Sequence, residues 1–196
     1  MENINQVNFI KSDFCISDPP IFIYPFSTKE LYSEEYLKWM NDPDITKTLG
    51  RFDYLMPVTQ KKLIDYYQSI DPSNTMFLAI YYSENKDLSN TNEKQFIGTL
   101  KIYDIELLAR RVSIGIIIGD KSNWGKKFAS TAIGISCRYI FDVLGFRKIS
   151  AGYIAGNIGM EKAFLNNGFH IEARFIEHLF FQGNFVDHIF VCKFRR

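Results

Sequence analysis

The hydrophobic pattern changes its period several times along the chain, and the order of these changes restricts the fold. Stretches of strand character alternate with segments in which apolar residues recur every three to four positions, as in helices. The resulting order is strand, two helices, three strands, helix, strand, helix and two strands. It suits neither a doubly wound sheet nor a sandwich, and it favours a mixed α/β layer with antiparallel strands first and a crossover helix later.

The segment bounds follow from periodicity and from breaker residues. Strands are predicted at 21–26, 76–82, 96–103, 112–118 and 148–155, with two more after Phe169 that meet near Gln182-Gly183-Asn184. Helices are predicted at 32–40, 59–69, 123–144 and 157–166. Pro43 ends the first helix, because a proline disfavours helix in the residue before it. Gly145 is well placed to end the long helix.

The length of 196 residues points to one domain. Pro19 and Pro20 interrupt regular structure. We therefore expect residues 1–20 to form an N-terminal extension, which packs on the domain or trails from it. Residues 21–196 form the single domain.

Composition excludes several classes of protein. The net charge of +1 gives no global electrostatic case for a nucleic-acid partner. No apolar stretch approaches the roughly 20 residues that span a bilayer, and no secretory signal is evident. Cys15, Cys137 and Cys192 lack the spacing of a disulfide framework or a zinc site. We expect a cytoplasmic protein with reduced thiols, no metal and no membrane partner.

One junction carries chemical information. The strand ending Ile116-Ile117-Ile118-Gly119 runs through a short loop into Trp124-Gly125-Lys126-Lys127, where the long helix opens. A helix start presents free N–H groups and the positive end of the helix dipole, which suit a phosphate. Gly125 lets the backbone approach an anion, and the two lysines add positive charge. From these residues alone, an ordinary solvated helix start remains the alternative.

The run IGIIIGDKSNWGKKFASTAI resembles the coenzyme-A pyrophosphate loop of the GNAT acetyltransferase superfamily. It is most similar to the ribosomal-protein-alanine-acetyltransferase-like branch. LGFRKISAGYIAGNIGMEKAFLNNGFHIEA resembles the next strand, helix and Gly-Phe turn of that branch. Gly183 to Asp187 resembles its C-terminal hairpin, and Trp39 to Pro43 matches a frequent N-terminal motif. The four matches follow in order and cover residues 21 to 194, nearly the whole chain.

The resemblance implies a GNAT-like α/β fold, with a mixed, largely antiparallel sheet of about seven strands and about four flanking helices. Its central pair, 112–118 and 148–155, would start side by side and splay apart. It also implies acetyl-CoA as co-substrate, and acetyl transfer to a primary amine by direct attack. A backbone N–H of the splayed strand would stabilise the oxyanion.

The resemblance further implies which residues contact the cofactor. The pantetheine arm would pair with the backbone of the splayed strand, the pyrophosphate would sit on the helix start, and two positions on the next helix would complete the site. The expected set is Ile116, Ile117, Ile118, Trp124, Gly125, Lys126, Lys127, Phe128, Ala129, Ser130, Thr131, Asn157 and Phe164.

The sequence departs from the family at functional positions. Lys127 stands where the loop usually has its second glycine, and we expect its side chain to point outward and contribute a cation. Phe164 and Met160 stand where a Tyr or a Ser often protonates the departing thiolate. Ser113 replaces a common Glu. A thiol with a pKa near 8.5 is a fair leaving group unaided.

A primary amine must still lose a proton before it attacks, so a base or a water chain is needed. We expect Asp42 and Asp187, which lie in family-like motifs, as the catalytic residues. Further candidates by position are Asp44, Glu172, His178 and His188. For each, a solvated surface charge or a structural hydrogen bond is the alternative.

The acceptor is left open among three hypotheses. The first is a small-molecule amine, namely an amino sugar that is free or nucleotide-linked. The second is a protein N-terminus, the substrate that names the branch. The third is a non-catalytic module that binds coenzyme A. The apolar C-terminal strands fit either the core or the interface of a homodimer.

Overall fold

The computed structural model of the chain describes residues 14–49, 56–84, 94–181 and 183–196. Eight strands form one sheet in the spatial order β1-β2-β3-β4-β5-β6-β8-β7. They are β1 Ile16–Asp18, β2 Ile21–Pro25, β3 Met76–Tyr82, β4 Gln95–Glu106, β5 Arg111–Ile118, β6 Lys148–Ile154, β7 His170–Phe181 and β8 Asn184–Phe194.

In the described residues, six α-helices flank the sheet: α1 Thr28–Leu31, α2 Glu34–Met40, α3 Pro43–Thr46, α4 Gln60–Gln68, α5 Phe128–Arg138 and α6 Ile158–Leu165. Short 3₁₀ turns lie at Lys47–Leu49 and Lys121–Asn123, and a π-helical turn, Tyr139–Val143, continues α5. Within the described parts of the chain, no helix has the length and apolar character needed to cross a membrane.

The sheet is antiparallel except at its centre. There β5 and β6 run parallel, and they pair only at Arg111–Lys148, Val112–Ile149 and Ser113–Ser150. Both strands continue beyond the last pair, to Ile118 and Ile154. The predicted splayed central pair is therefore confirmed, and so is the mixed α/β fold class.

Side chains of β3 point alternately to the two faces of the sheet, and both faces are covered by a core cluster. All seven residues of this strand are apolar, as expected for a strand covered on both faces. Met76, Leu78 and Ile80 pack into one core cluster together with residues of α5 and α6. Phe77, Ala79 and Tyr81 point the other way, into a second cluster with residues of α2 and α4. We call these the α5 face and the α2 face.

The structure has one strand more than the seven expected, because Ile16–Asp18, within the expected extension, pairs with β2. It also has more helices than the four expected. Ser27 and Glu30 form a capping box that starts the short helix α1. The side chain of Asp42 accepts from the N–H of Asp44 and starts α3. Polar caps rather than hydrophobic periodicity define these helices, which is why periodicity missed them.

The predicted long helix 123–144 is shorter than expected. It begins at Phe128, because Gly125 and Lys127 have φ angles of 79° and 65°, outside the helical region. At the other end, the π-helical turn leads into Gly145, whose φ of 73° suits a helix stop. The three cysteines are free, and Cys137 and Cys192 are buried.

A tight contact joins the end of β5 to α2, and it generates a stability prediction. A Cβ added at Gly119 would lie 2.0 Å from the Trp39 ring, which is buried in the second cluster. We expect Gly119→Ala to lower the free energy of unfolding by about 1–3 kcal/mol through overpacking. Gly115→Ala is the control, since its new Cβ would meet Tyr103 at an ordinary 3.6 Å. Equal urea midpoints for the two variants would contradict the assigned contact.

Candidate active site

A cavity of about 850 Å³ opens where β5 and β6 separate. Tyr153, Asn157 and Phe164 line it on the α5 face, while Ser113 and His188 line it on the α2 face. The cavity therefore passes through the sheet, between strands that would otherwise be hydrogen-bonded. A pocket of this volume accommodates a ligand of moderate size.

The open edges of the two strands offer backbone groups to a ligand. β5 pairs with β4 on its other side, and β6 pairs with β8. Residues 114–118 and 151–154 consequently have no strand partner across the gap. An extended ligand can pair with such an edge as an added strand does. The carbonyl of Ile118 also accepts from Trp124 Nε1 at 2.8 Å.

The loop before α5 presents a row of N–H groups. Thr131 donates its backbone N–H to the carbonyl of Lys127 at 3.0 Å, as the first helical bond of α5. Among the described residues, no acceptor takes the N–H groups of residues 125–130. Free amides at a helix start attract anions, and the dipole of an eleven-residue helix strengthens this.

Two left-handed residues shape this anion cradle, which we define as residues 125–130. Gly125 has φ of 79°, and a Cβ placed on it would meet no atom within 4 Å, so the space beside it is open. Lys127 has φ of 65° and caps α5 without a side-chain hydrogen bond. Left-handed φ disfavours side chains and suits glycine, the residue that the sequence resemblance leads one to expect here. Lys127 adopts this left-handed backbone although it carries a side chain.

The side chains of the two aromatic residues of the loop, Trp124 and Phe128, are engaged in other contacts. Trp124 is half exposed, at 47%, and its indole is fixed by its hydrogen bond to Ile118. Phe128 is buried against the core, where it stacks on Tyr82 with ring centroids 4.8 Å apart. Both side chains hold the loop in place, so an anion would contact their backbone.

The polar side chains of the cradle region are also occupied. Asn167 donates to the carbonyl and to Oγ of Ser130, at 2.9 and 3.0 Å. Thr131 Oγ1 donates to the Lys127 carbonyl at 3.3 Å, and Lys126 Nζ donates to Asn123 Oδ1 at 3.1 Å. Asn167, which follows α6, thereby ties the start of α5 to the end of α6. Ala129 packs on the α5-face core.

On α6, the predicted positions Asn157 and Phe164 both line the cavity. Asn157 caps the helix by accepting from the N–H of Met160 at 3.2 Å. Phe164 is 1% exposed and stacks on Tyr153, at 6.3 Å between centroids. It is thus mainly a core residue that forms part of the cavity wall.

Tyr153 is a functional candidate that the sequence did not single out. Its hydroxyl forms no hydrogen bond with the described residues, and the side chain, which is 6% exposed, lines the cavity. Burial, with a smaller contribution from Glu161, raises the pKa of this phenol. Tyr153 therefore keeps its proton at neutral pH, beside the ring of Phe164, where the family often has a tyrosine.

Asp42 lies away from the cavity between β5 and β6. It lines a separate pocket of about 590 Å³ beside α1 and α2. Its carboxylate pairs with Lys121 at 2.8 Å, and this bond lowers the pKa of Asp42. Asp44 also pairs with Lys121, and with Lys47. A carboxylate held ionised in this way is a weak base at neutral pH.

Asp187 stabilises an irregularity in β7. It accepts from the N–H of Glu177 at 2.8 Å and pairs with Arg174, and these bonds lower the pKa of Asp187. The β7–β8 register shifts between Phe175 and Leu179, and Glu177 has a positive φ of 50°. Asp187 thus holds a bulge, and it is absent from the cavity lining.

His188 lines the cavity. Burial, together with the nearby His178, lowers the pKa of its imidazole. The ring lies over Gly152 of the splayed strand: a Cβ at Gly152 would come within 2.5 Å of His188 Nε2. The two histidine rings stack with centroids 6.0 Å apart. His188 is thus neutral at pH 7 and close to the strand edge, as a base requires.

Glu172, a further candidate, lines the same cavity but forms an ion pair with Lys148. In the described ranges, no group of three or more His, Cys, Asp or Glu side chains could hold a metal ion.

A split parallel pair beside a helix start with free amides suits a ligand that has an extended arm and a phosphate group, as an acyl-CoA does. A profile of the acetyltransferase (GNAT) domain matches residues 21–170. The chain belongs to this family, whose members use acetyl-CoA, and the predicted enzyme class is confirmed. Among curated protein sequences, none matches the chain significantly.

Solved structures share the fold. A spermidine N-acetyltransferase from Vibrio cholerae, solved with CoA and spermine, superposes with a TM-score of 0.75 at 19% identity, over 90% of this chain and 96% of that chain. A ribosomal-protein-S5-alanine acetyltransferase from Vibrio fischeri gives 0.71 at 17%, over 93% and 97%. A GNAT-family acetyltransferase from Bacillus anthracis gives 0.73 at 14%, over 92% and 98%. The ribosomal-protein-alanine branch is one among several similar structures.

The backbone at Lys127 generates a prediction. We expect Lys127→Gly to raise the free energy of unfolding by up to about 1 kcal/mol, because relief of the left-handed strain outweighs the flexibility gained by the unfolded chain. Lys126→Gly is the control, since Lys126 has no positive φ, and it should be neutral or destabilising. Chemical denaturation measures both. A Lys127→Gly variant less stable than Lys126→Gly would contradict the assigned conformation.

Proposed function

We propose that the chain transfers an acetyl group from acetyl-CoA to the primary amine of a small molecule, an amino sugar, in the cavity between β5 and β6. The observation that carries the proposal is the gap itself. It opens into a cavity lined by His188. The β5 edge of the gap ends at Ile118, whose carbonyl accepts from Trp124, the residue just before the anion cradle. Acetyl-CoA supplies the activated acetyl group.

In this proposal the residues expected from the sequence contact the cofactor mainly through their backbone. The amides of residues 125–130 would hold the pyrophosphate, with Lys126 and Lys127 adding positive charge. The open edge at Ile116 to Ile118 would pair with the pantetheine arm, and Asn157 with Phe164 would line the far wall. A free N–H on that edge would stabilise the oxyanion.

His188 is the general base of this proposal. Its imidazole is neutral at pH 7, so it can accept the proton that the attacking amine loses. Gly152 leaves room for the ring against the open edge of β6. Asp42 and Asp187 remain predictions as bases. Their low pKa values and their ion pairs support structural roles instead.

Tyr153 is the general acid of this proposal. The hydroxyl keeps its proton at neutral pH and lies on the cavity wall beside Phe164, where the α6 tyrosine of the family is missing. Donation from the phenol to the departing sulfur would replace that missing group. This role would use a hydroxyl that lines the cavity and forms no hydrogen bond with the described residues.

Incubation with acetyl-CoA and a panel of amines tests the proposed function. We expect free thiol release with amino sugars, and slower release with N-terminal peptides and with spermidine. Acetylation of peptides alone would favour the protein-N-terminal hypothesis. Tight cofactor binding in calorimetry without thiol release for any amine would contradict catalysis.

Substitution of His188 tests the base. Since the pKa of His188 lies below its ordinary 6.5, kcat/KM of the wild type should fall as the pH drops through that lowered pKa and protonates the ring. His188→Ala should lose about 100-fold or more in kcat at pH 7, and added imidazole should restore part of the rate.

Asp42→Asn and Asp187→Asn are the controls for His188. Both remove a carboxylate outside the cavity, so the acid limb of the pH profile should persist in each. If either variant lost that limb while His188 was intact, the role of general base would belong to the substituted aspartate. An unchanged profile in His188→Ala would remove His188 from the mechanism.

A further inference from the structure

A lysine stands in the middle of β4, within an otherwise apolar stretch. Lys101 lies opposite Gly115 of β5, and its side chain lines the cavity on the α2 face. Its Nζ donates to the hydroxyl of Tyr66 on α4, at 2.7 Å. An ammonium group carries three donors, and this hydrogen bond uses one of them.

Aromatic rings surround the Lys101 ammonium. Nζ lies 5.0 Å from the ring centroid of Tyr66, 5.8 Å from that of Phe77 and 5.9 Å from that of Tyr103. Ring faces attract a cation without neutralising it. In the part of the chain that the structure describes, no carboxylate lies within ion-pair distance of Lys101. The charge is thus held in place and available to a ligand.

The other charged side chains of the cavity do not neutralise the Lys101 ammonium. Lys148 and Glu172 line the cavity and pair with each other. Of the remaining charged side chains in the lining, Lys101 and Arg111 are cations, and Asp104 is the single carboxylate. The acceptor side of the cavity is therefore positive, although the whole chain has a net charge of only +1.

We propose that Lys101 binds an anionic group, a phosphate or a carboxylate, on the acceptor amine. The proposal rests on the proposed function and names the substrate class of that site. An amine that also carries an anion gains a charge-assisted hydrogen bond at Lys101. A polyamine brings further positive charge to a positive wall and is disfavoured. Lys101 thus selects among acceptors without taking part in the proton transfers.

Two matched acceptors test this inference: glucosamine and glucosamine 6-phosphate, which differ in the phosphate. The wild type should show the higher kcat/KM with the phosphorylated amine. Lys101→Met, which keeps most of the stem and removes the charge, should lower the ratio of the two kcat/KM values by about 10- to 100-fold, mainly through KM. Lys101→Arg should keep most of the ratio, which separates loss of charge from loss of packing.

Lys61→Met is the matched control, because Lys61 is exposed, pairs with Asp65 and lies outside the cavity. The ratio should be unchanged in this variant. An unchanged ratio in Lys101→Met, or a wild type that prefers spermidine to both sugars, would overturn the inference while leaving acetyl transfer intact.

A binding measurement keeps the inference separate from catalysis. With coenzyme A present at saturation to occupy the anion cradle, glucosamine 6-phosphate should raise the melting temperature of the wild type more than that of Lys101→Met. Glucosamine should affect both equally. Equal shifts with the phosphorylated sugar would overturn the inference even in a protein that releases no thiol. Absence of thiol release alone would instead count against the proposed function.

Discussion

The early end of the β5–β6 pairing is the constraint on which the rest of the structure depends. After three residue pairs, each strand stays with its own half of the sheet: β5 with β4, and β6 with β8. The α5-face core lies beneath both halves and contains residues of both strands, together with Phe128 and Phe164 of α5 and α6. Because this packing holds the gap open, the facing backbone edges do not pair with each other and stay open to a ligand.

The gap also determines what each face can contribute. On the α5 face, the cradle amides and the strand edges present backbone groups, and the side chains of Phe128 and Ser130 are engaged in packing and internal hydrogen bonds. On the α2 face, side chains dominate: His188 over Gly152, and Lys101 among aromatic rings. In the function that we propose, cofactor recognition through the backbone and acceptor recognition through side chains are thus separated across one sheet.

Much of the fold could be predicted from the sequence, because the spacing of apolar residues in a long segment distinguishes a helix from a strand. β3, β5, β6 and α6 lie where periodicity placed them, within a few residues. The short helices α1 and α3 could not be found in this way, since Ser27 and Asp42 define them through caps. The break before Phe128 depends on a left-handed Lys127, and the side-chain type gives no signal of that backbone.

The geometry of the proposed cofactor half could be anticipated from the sequence, and that of the proposed acceptor half much less so. The cradle follows from residues that are neighbours in sequence. By contrast, His188 meets Gly152 only through the pairing of β6 with β8, and Lys101 meets Tyr66 across 35 residues of chain. Asp187 and His188 illustrate the limit. They are adjacent in sequence, yet Asp187 stabilises a bulge in β7 and His188 lines the cavity.

This division accounts for a shared fold at very low sequence identity. A backbone cradle tolerates Lys127 in place of glycine, because the amides and the strand edge are contributed by any sequence that adopts the same φ and ψ angles. Side chains such as Lys101 and His188 have no such freedom, since a change of residue changes charge or proton affinity directly. Sequences of one fold can therefore retain the cofactor site while their acceptor sites diverge, and the 19% identity to the spermidine enzyme leaves room for a different amine.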